Sequence, residues 1–186
     1  MAQIVELDGV RPTIGAGVYL APTAVLIGNV HIGDRVTVWF GTVLRGDFSR
    51  IEVGPRSSIQ DNAVLHCASD LPTIVGAGVT IGHGALLEGC EVHDGAVVGM
   101  GAIVLHYASV GAGAVIAAGG VVAERQQIAP GTLAAGVPAR EKKVLSGSAQ
   151  RWTEVAVEDY QQLRRRYLSS ASMHSDDGVS PEPPGV

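Results

Sequence analysis

From Val92 to Ile128 an aliphatic residue returns at every sixth position: Val92, Val98, Val104, Val110, Ile116, Val122 and Ile128. Neither an α-helix nor an alternating strand has that period, so the chain is an array of short, self-similar units. In a hexad such as Val98-Gly99-Met100-Gly101-Ala102-Ile103, the aliphatic residue and the small residue four places on can both point inward. The Gly, Asn and Asp positions supply the tight corners that other L-residues resist. Each hexad reads as one short strand plus a turn, and the whole as a hexapeptide-repeat solenoid.

The same period runs earlier in the chain through Ile14, Leu20, Leu26, Ile32, Val38 and Leu44, after a lead-in strand carrying Ile4, Val5 and Leu7. It slips twice. After Leu44 the segment Arg45-Gly46-Asp47-Phe48-Ser49-Arg50 needs a bulge or small loop before Val53 and Ile59, and after Leu65 residues 67–73 must leave the coil before Val75, Ile81 and Leu87. A solenoid accommodates extra residues only on its outside, often beside a binding face. The array ends near Leu133, and a solenoid end needs a cap for its unpaired strand edge. Trp152, Val155, Ala156, Tyr160, Leu163 and Tyr167 recur at helical spacing, so an amphipathic helix is expected over 148–168, packed on the flank of its own or a neighbouring solenoid. The expected organisation is a β-helix domain at 1–140, a helical segment at 141–169 and a disordered tail at 170–186.

Only 4% of the residues are aromatic and 25 are glycine, which suits a thin core of Val, Ile, Leu and Ala. The net charge of −5 and pI near 5.6, with no Lys/Arg cluster, argue against a nucleic-acid partner. No apolar stretch approaches a membrane span and no signal peptide is visible, so a cytoplasmic protein is expected. Cys67 and Cys90 read as buried thiols in a reducing compartment, not a disulfide framework.

The repeat resembles that of left-handed parallel β-helices, in which three hexads close one triangular coil and coils stack roughly 4.8 Å apart. That resemblance implies an all-β, left-handed solenoid with residues about eighteen apart above one another. With the slips counted, the hexads opening at Leu44, Leu65, Leu87 and Val104 share one side. Arg45, His66 and Glu88 then form a vertical ladder, with His106 above, displaced by one position. Gln60, Asp61 and His83 gather on a second side. Imidazoles on different sides of a prism cannot meet one ion within a chain, but a closed three-fold ring lets side meet side.

Arg45-Gly46-Asp47, Gln60-Asp61-Asn62, His66 and Ile81-Gly82-His83-Gly84-Ala85-Leu86-Leu87-Glu88-Gly89-Cys90 resemble the signature of γ-class carbonic anhydrases, over roughly Val10 to Arg140. The resemblance implies a homotrimer with three histidines around zinc or a similar divalent ion between subunits, a salt bridge spanning subunits at Arg45 and Asp47, and Gln60 and Asp61 lining the site. His66 and His83 match two of those ligands. Glu88 stands where the third histidine belongs. A carboxylate oxygen is an acceptable zinc ligand, and two His plus a carboxylate also suit iron(II), with cobalt a further alternative. Two other readings stay open: Glu88 is an ordinary salt-bridged carboxylate in a decayed site, or His106 supplies the missing imidazole with Glu88 behind it. His31 and His93 read as surface residues, and Met100 as a pocket wall or packing residue.

Three function classes follow. The first is hydration of carbon dioxide to bicarbonate by hydroxide held on the ion, weakened by Glu88, with Gln60 and Asp61 orienting the reactants. The second is metal-dependent hydrolysis of an acyl-CoA thioester. The third is a non-catalytic trimeric scaffold or metal-binding protein.

Overall fold

The computed structural model describes residues 1–170, which form a solenoid of about seven turns closed by one C-terminal helix. The period of six is the reason: each coil lays one short strand on each of three faces, and each strand pairs in parallel with the strand one coil away. The first face stacks Gln3–Val5, Val25–Ile32, Val43–Val53, Val64–His66, Leu86–Glu88, Ile103–Val104 and Val121–Val122. The second stacks Thr13–Ile14, the later halves of Val25–Ile32 and Val43–Val53, then Thr73–Val75, Glu91–Val92, Ser109–Val110 and Gln127–Ile128. The third runs from Tyr19–Leu20 through Thr37–Val38, Ser58–Ile59, Thr80–Ile81, Val97–Val98 and Val115–Ile116 to Thr132–Ala135.

The aliphatic residue of each hexad forms a column inside each face. Leu26, Leu44, Leu65, Leu87, Val104 and Val122 fill the first, Ile32, Val53, Val75, Val92, Val110 and Ile128 the second, and Val38, Ile59, Ile81, Val98 and Ile116 the third, all buried. The register is the one the spacing implies: Leu44 pairs with Leu65, Leu65 with Leu87, and Leu87 with Val104.

Both expected slips lie on the outside. Val43–Val53 stays one continuous strand, and its three extra residues bulge between the Gly28–Gly46 and Val30–Ile51 pairs. Residues 67–72 turn back on themselves through an Ala68–Leu71 bridge, with Asp70 at φ 56°. A third irregularity went unread: Val92 follows Leu87 one residue sooner than the period allows. Gly89 makes that shortened corner at φ +57°, where an added Cβ would lie 2.4 Å from Leu71 Cδ2. The corners also depart from the Gly/Asn/Asp rule, since Arg35, Arg56, Tyr107 and Arg125 all take positive φ. The cost of that conformation is offset in part at Tyr107, whose ring is stacked by the Arg125 guanidinium at 4.6 Å.

Residues 140–144 form an antiparallel strand on Thr132–Ala135, capping the open end of the third face before the helix Ser148–Ser170. The helix returns along its own solenoid. Tyr160 and Tyr167 meet Trp39 edge-on at 5.8 and 5.0 Å, and Tyr167 also meets Tyr19 at 5.2 Å. The Gln161 amide donates to the carbonyls of Arg35 and Arg56, and Arg164 Nη1 donates to that of Gly17 at 2.6 Å. From residue 171 on, the expected tail lies outside the described residues. No described helix is long and apolar enough to cross a membrane.

Ile81 is fully buried in the middle coils. Ile81→Ala should destabilise the fold by about 2–5 kcal/mol, read as a lowered midpoint in denaturant unfolding followed by circular dichroism.

Candidate metal centre

Three rungs of the first face carry the first cluster. Arg45 pairs with His66 and His66 with Glu88 in the strand register, so their side chains project from one line, one coil apart. The His66 ring lies between two carboxylates: Nδ1 is 2.8 Å from Glu88 Oε1 and Nε2 is 2.9 Å from Asp47 Oδ1. Asp47 reaches it because the bulge after Gly46 swings that residue off the line of its own strand. Its other oxygen pairs with Arg45, so within the chain Arg45 and Asp47 partner each other. Glu88 Oε2 faces His106 Nε2 at 3.2 Å, at an angle that leaves this buried nitrogen without a hydrogen-bond partner among the described residues.

The second cluster sits at the end of the third face. His83 Nδ1 is 2.8 Å from Asp61 Oδ2, and Asp61 is itself fixed by the Phe40 backbone N–H. The buried Gln60 side chain accepts the His83 backbone N–H at 3.1 Å through Oε1. His83 is 45% exposed and its Nδ1 is taken, so Nε2 is the nitrogen left for a ligand. Met100 stands one coil above it and walls a groove of about 490 Å³ that runs from Gln60 and His83 between the third face and the helix. The groove is mainly apolar, with Val97, Val115, Val155 and Tyr160 among its walls. Thr80, buried in its floor, has a hydroxyl with no hydrogen-bond partner among the described residues. A larger hollow of about 640 Å³ lies on the second face at His93 and Ser109, away from both clusters.

The structure thus gathers Arg45, Asp47, His66, Glu88 and His106 in one group and Gln60, Asp61 and His83 in another. Sequence reasoning placed the ladder but missed that Asp47 contacts His66, and that Cys67 stands behind them. One donor atom each from Asp47, His66 and Cys67 lie within 4.8 Å of one another. The signal was the three-residue slip after Leu44, which folds Asp47 toward the next rung. Both cysteines are free and buried, and burial pushes the Cys90 thiol up to about 12. His31 is held by Thr13 and Asn29, and His93 by Ser109, at exposed positions.

Comparison with known proteins bears on this geometry. Residues 11–46 match the family model described as bacterial transferase hexapeptide (six repeats). The carbonic anhydrase of Geobacillus kaustophilus is 37% identical over 171 residues, covering 92% of this chain and 90% of that protein. Gamma carbonic anhydrase 2 of Arabidopsis thaliana, a mitochondrial protein, is 37% identical over 172 residues. This chain belongs to the γ-class carbonic anhydrase family. It spans 59% of the longer plant protein's length. Within the same sequence neighbourhood stands the carnitine operon protein CaiE of Escherichia coli O157:H7, 34% identical over 90% of this chain and 84% of that one. Among solved structures, a putative acetyltransferase of Bacillus cereus superposes with a TM-score of 0.89 at 34% identity, covering 90% of this family member and 98% of that chain.

Burial pulls the carboxyls of Asp47 and Glu88 up, but their hydrogen bonds and the charges of their partners outweigh it. His66 and Arg45 hold Asp47 below its ordinary range, and His66 and His106 do the same for Glu88. Both values are depressed by folding, so the stabilisation is complete above the ordinary carboxylate pKa, about 4, and is lost as pH falls through the lower folded values. Thermal midpoints measured from pH 7 to 3 should therefore drop below about pH 4. The double variant Asp47→Asn/Glu88→Gln should show a shallower drop in that window, and an unchanged slope would mean the ladder contributes nothing to the pH dependence.

Proposed function

We propose that this chain catalyses the reversible hydration of carbon dioxide to bicarbonate at a divalent-metal centre formed where copies of a homotrimer meet. The observation that carries it is the setting of two imidazoles on different faces, each with a carboxylate 2.8 Å from Nδ1: Glu88 hydrogen-bonded to His66, and Asp61 at ion-pair distance from His83. A carboxylate behind a histidine is how ligating imidazoles are oriented and made more basic. The donor set fits a divalent ion, with two imidazoles and a carboxylate beside His66 suiting zinc first and iron(II) or cobalt(II) next. Because the two histidines stand on the first and third faces, one ion needs them from different copies, and a closed ring supplies three equivalent junctions.

A bound divalent ion supplies the Lewis acidity that makes water a nucleophile near neutral pH. The chain does the rest. Asp61 fixes the His83 ring, and Gln60, with Oε1 committed to the His83 backbone, has its amide N–H groups free to donate to a substrate oxygen. The anionic Asp47 and Glu88 place negative charge beside His66, which opposes ionisation of water there. Hydration should be slower than at an all-imidazole centre. Two free, buried thiols agree with a reducing, cytoplasmic setting.

A second reading rests on the groove beside His83. Carbon dioxide needs little room, whereas about 490 Å³ of mainly apolar lining with the buried Thr80 hydroxyl suits an acyl chain, so the same nucleophile would attack a thioester carbon.

Metal analysis and stopped-flow hydration assays on the purified protein test the proposal. The wild type should carry about one ion per subunit and hydrate carbon dioxide, while His66→Ala and His83→Ala should lose the ion and at least 100-fold in kcat/KM. Thioester cleavage without hydration would favour the second reading. A metal-free, inactive wild type would leave a scaffold role.

A further inference from the structure

We propose that the third protein donor of this centre is Asp47, not Glu88, and that Glu88 is the carboxylate that holds His66 in place. The inference rests on the metal-centre reading above and deepens it.

His66 has a carboxylate at each ring nitrogen, Glu88 at Nδ1 and Asp47 at Nε2. Only one nitrogen can ligate, and the other donates its N–H to the supporting carboxylate. His83 also has a single acid near one ring nitrogen: Asp61 Oδ2 lies 2.8 Å from Nδ1, at ion-pair distance, which leaves Nε2 for the ion. Carried to His66, that arrangement makes Glu88 the counterpart of Asp61 and puts the ion on the Nε2 side, next to Asp47.

Further observations agree. The triad of closely placed donor atoms is Asp47, His66 and Cys67, and Glu88 is not in it. The 2.9 Å between Asp47 Oδ1 and His66 Nε2 is a few tenths of an ångström short of the ligand separation at a tetrahedral zinc, about 3.3 Å for bonds of about 2.0–2.1 Å. To admit an ion the pair must open by that amount and Oδ1 must turn off the Nε2–H axis. Glu88, by contrast, is hydrogen-bonded to His66 through Oε1 and faces His106 Nε2 at 3.2 Å with Oε2, so turning it onto an ion would move it away from both imidazoles. Cys67 Sγ already accepts the Ser49 N–H at 3.1 Å and lies 3.6 Å from the Arg45 carbonyl, so it closes the site from behind. Arg45, paired with the second oxygen of Asp47, leaves Oδ1 as the single ligating atom. The donor set remains two imidazoles and one carboxylate, but the carboxylate comes from the bulge and not from the ladder.

Cobalt(II) titration of the metal-stripped full-length protein, read by visible absorption and elemental analysis, separates the two carboxylates, with assembly followed by light scattering. Glu88→Gln should keep about one ion per subunit with affinity reduced about 10–100-fold, as expected for a residue that orients a ligand. Asp47→Asn should fail to hold the ion. Asp47→His should regain it with a changed spectrum, and Arg45→Gln should keep it, which separates loss of the donor from loss of the ion pair. An empty Glu88→Gln protein, whether Asp47→Asn is loaded or not, overturns the inference, as does a loaded Asp47→Asn. Failure of the activity reads differently: a wild type that binds cobalt with this variant pattern but does not hydrate carbon dioxide leaves the donor assignment standing, and a wild type that binds no ion ends both.

Discussion

Parallel hydrogen bonding between one coil and the next governs everything else in this molecule. Once a strand pairs with the strand a coil away, each residue's neighbour above and below is fixed by counting, and a one-residue slip would turn the aliphatic column outward. The buried columns and the ladder of Arg45, His66 and Glu88 are two products of one register. The core is filled by residues that could be exchanged for others of similar volume, whereas the ladder exists only because the count is kept through two insertions.

The period of six made the solenoid legible, and the slips could be placed because an aliphatic residue reappears in phase after each. The helix was legible from its apolar spacing and the pairing of His66 with Glu88 from arithmetic. What could not be read was anything that depends on which way a bulge turns. Within the chain Asp47 pairs with Arg45, but its second contact, with His66, arises from three residues whose path the period does not constrain. The short corner at Gly89 escaped for a similar reason: a missing residue leaves no turn signal of its own, only a column resuming early.

The first cluster is an alternation of charge, with an arginine, a carboxylate, an imidazole, a second carboxylate and a second imidazole in succession. Such a row is satisfied internally only when protons or a cation sit between the acids and the imidazoles. A partly exposed carboxylate beside an imidazole nitrogen still favours positive charge there, which is why a carboxylate in place of a third histidine need not empty the centre. It changes which atoms share the ion's charge and how much of that charge is left to act on water.

The C-terminal helix holds the carbonyls of Gly17, Arg35 and Arg56 and covers Tyr19 and Trp39, all in the first coils. The coils themselves can form in the order of synthesis, each on the last. Those early aromatic side chains, however, receive their cover from a segment more than a hundred residues later. During translation the first coils therefore stand with an uncovered aromatic face until the helix has been made, a transient exposure that the finished fold does not show.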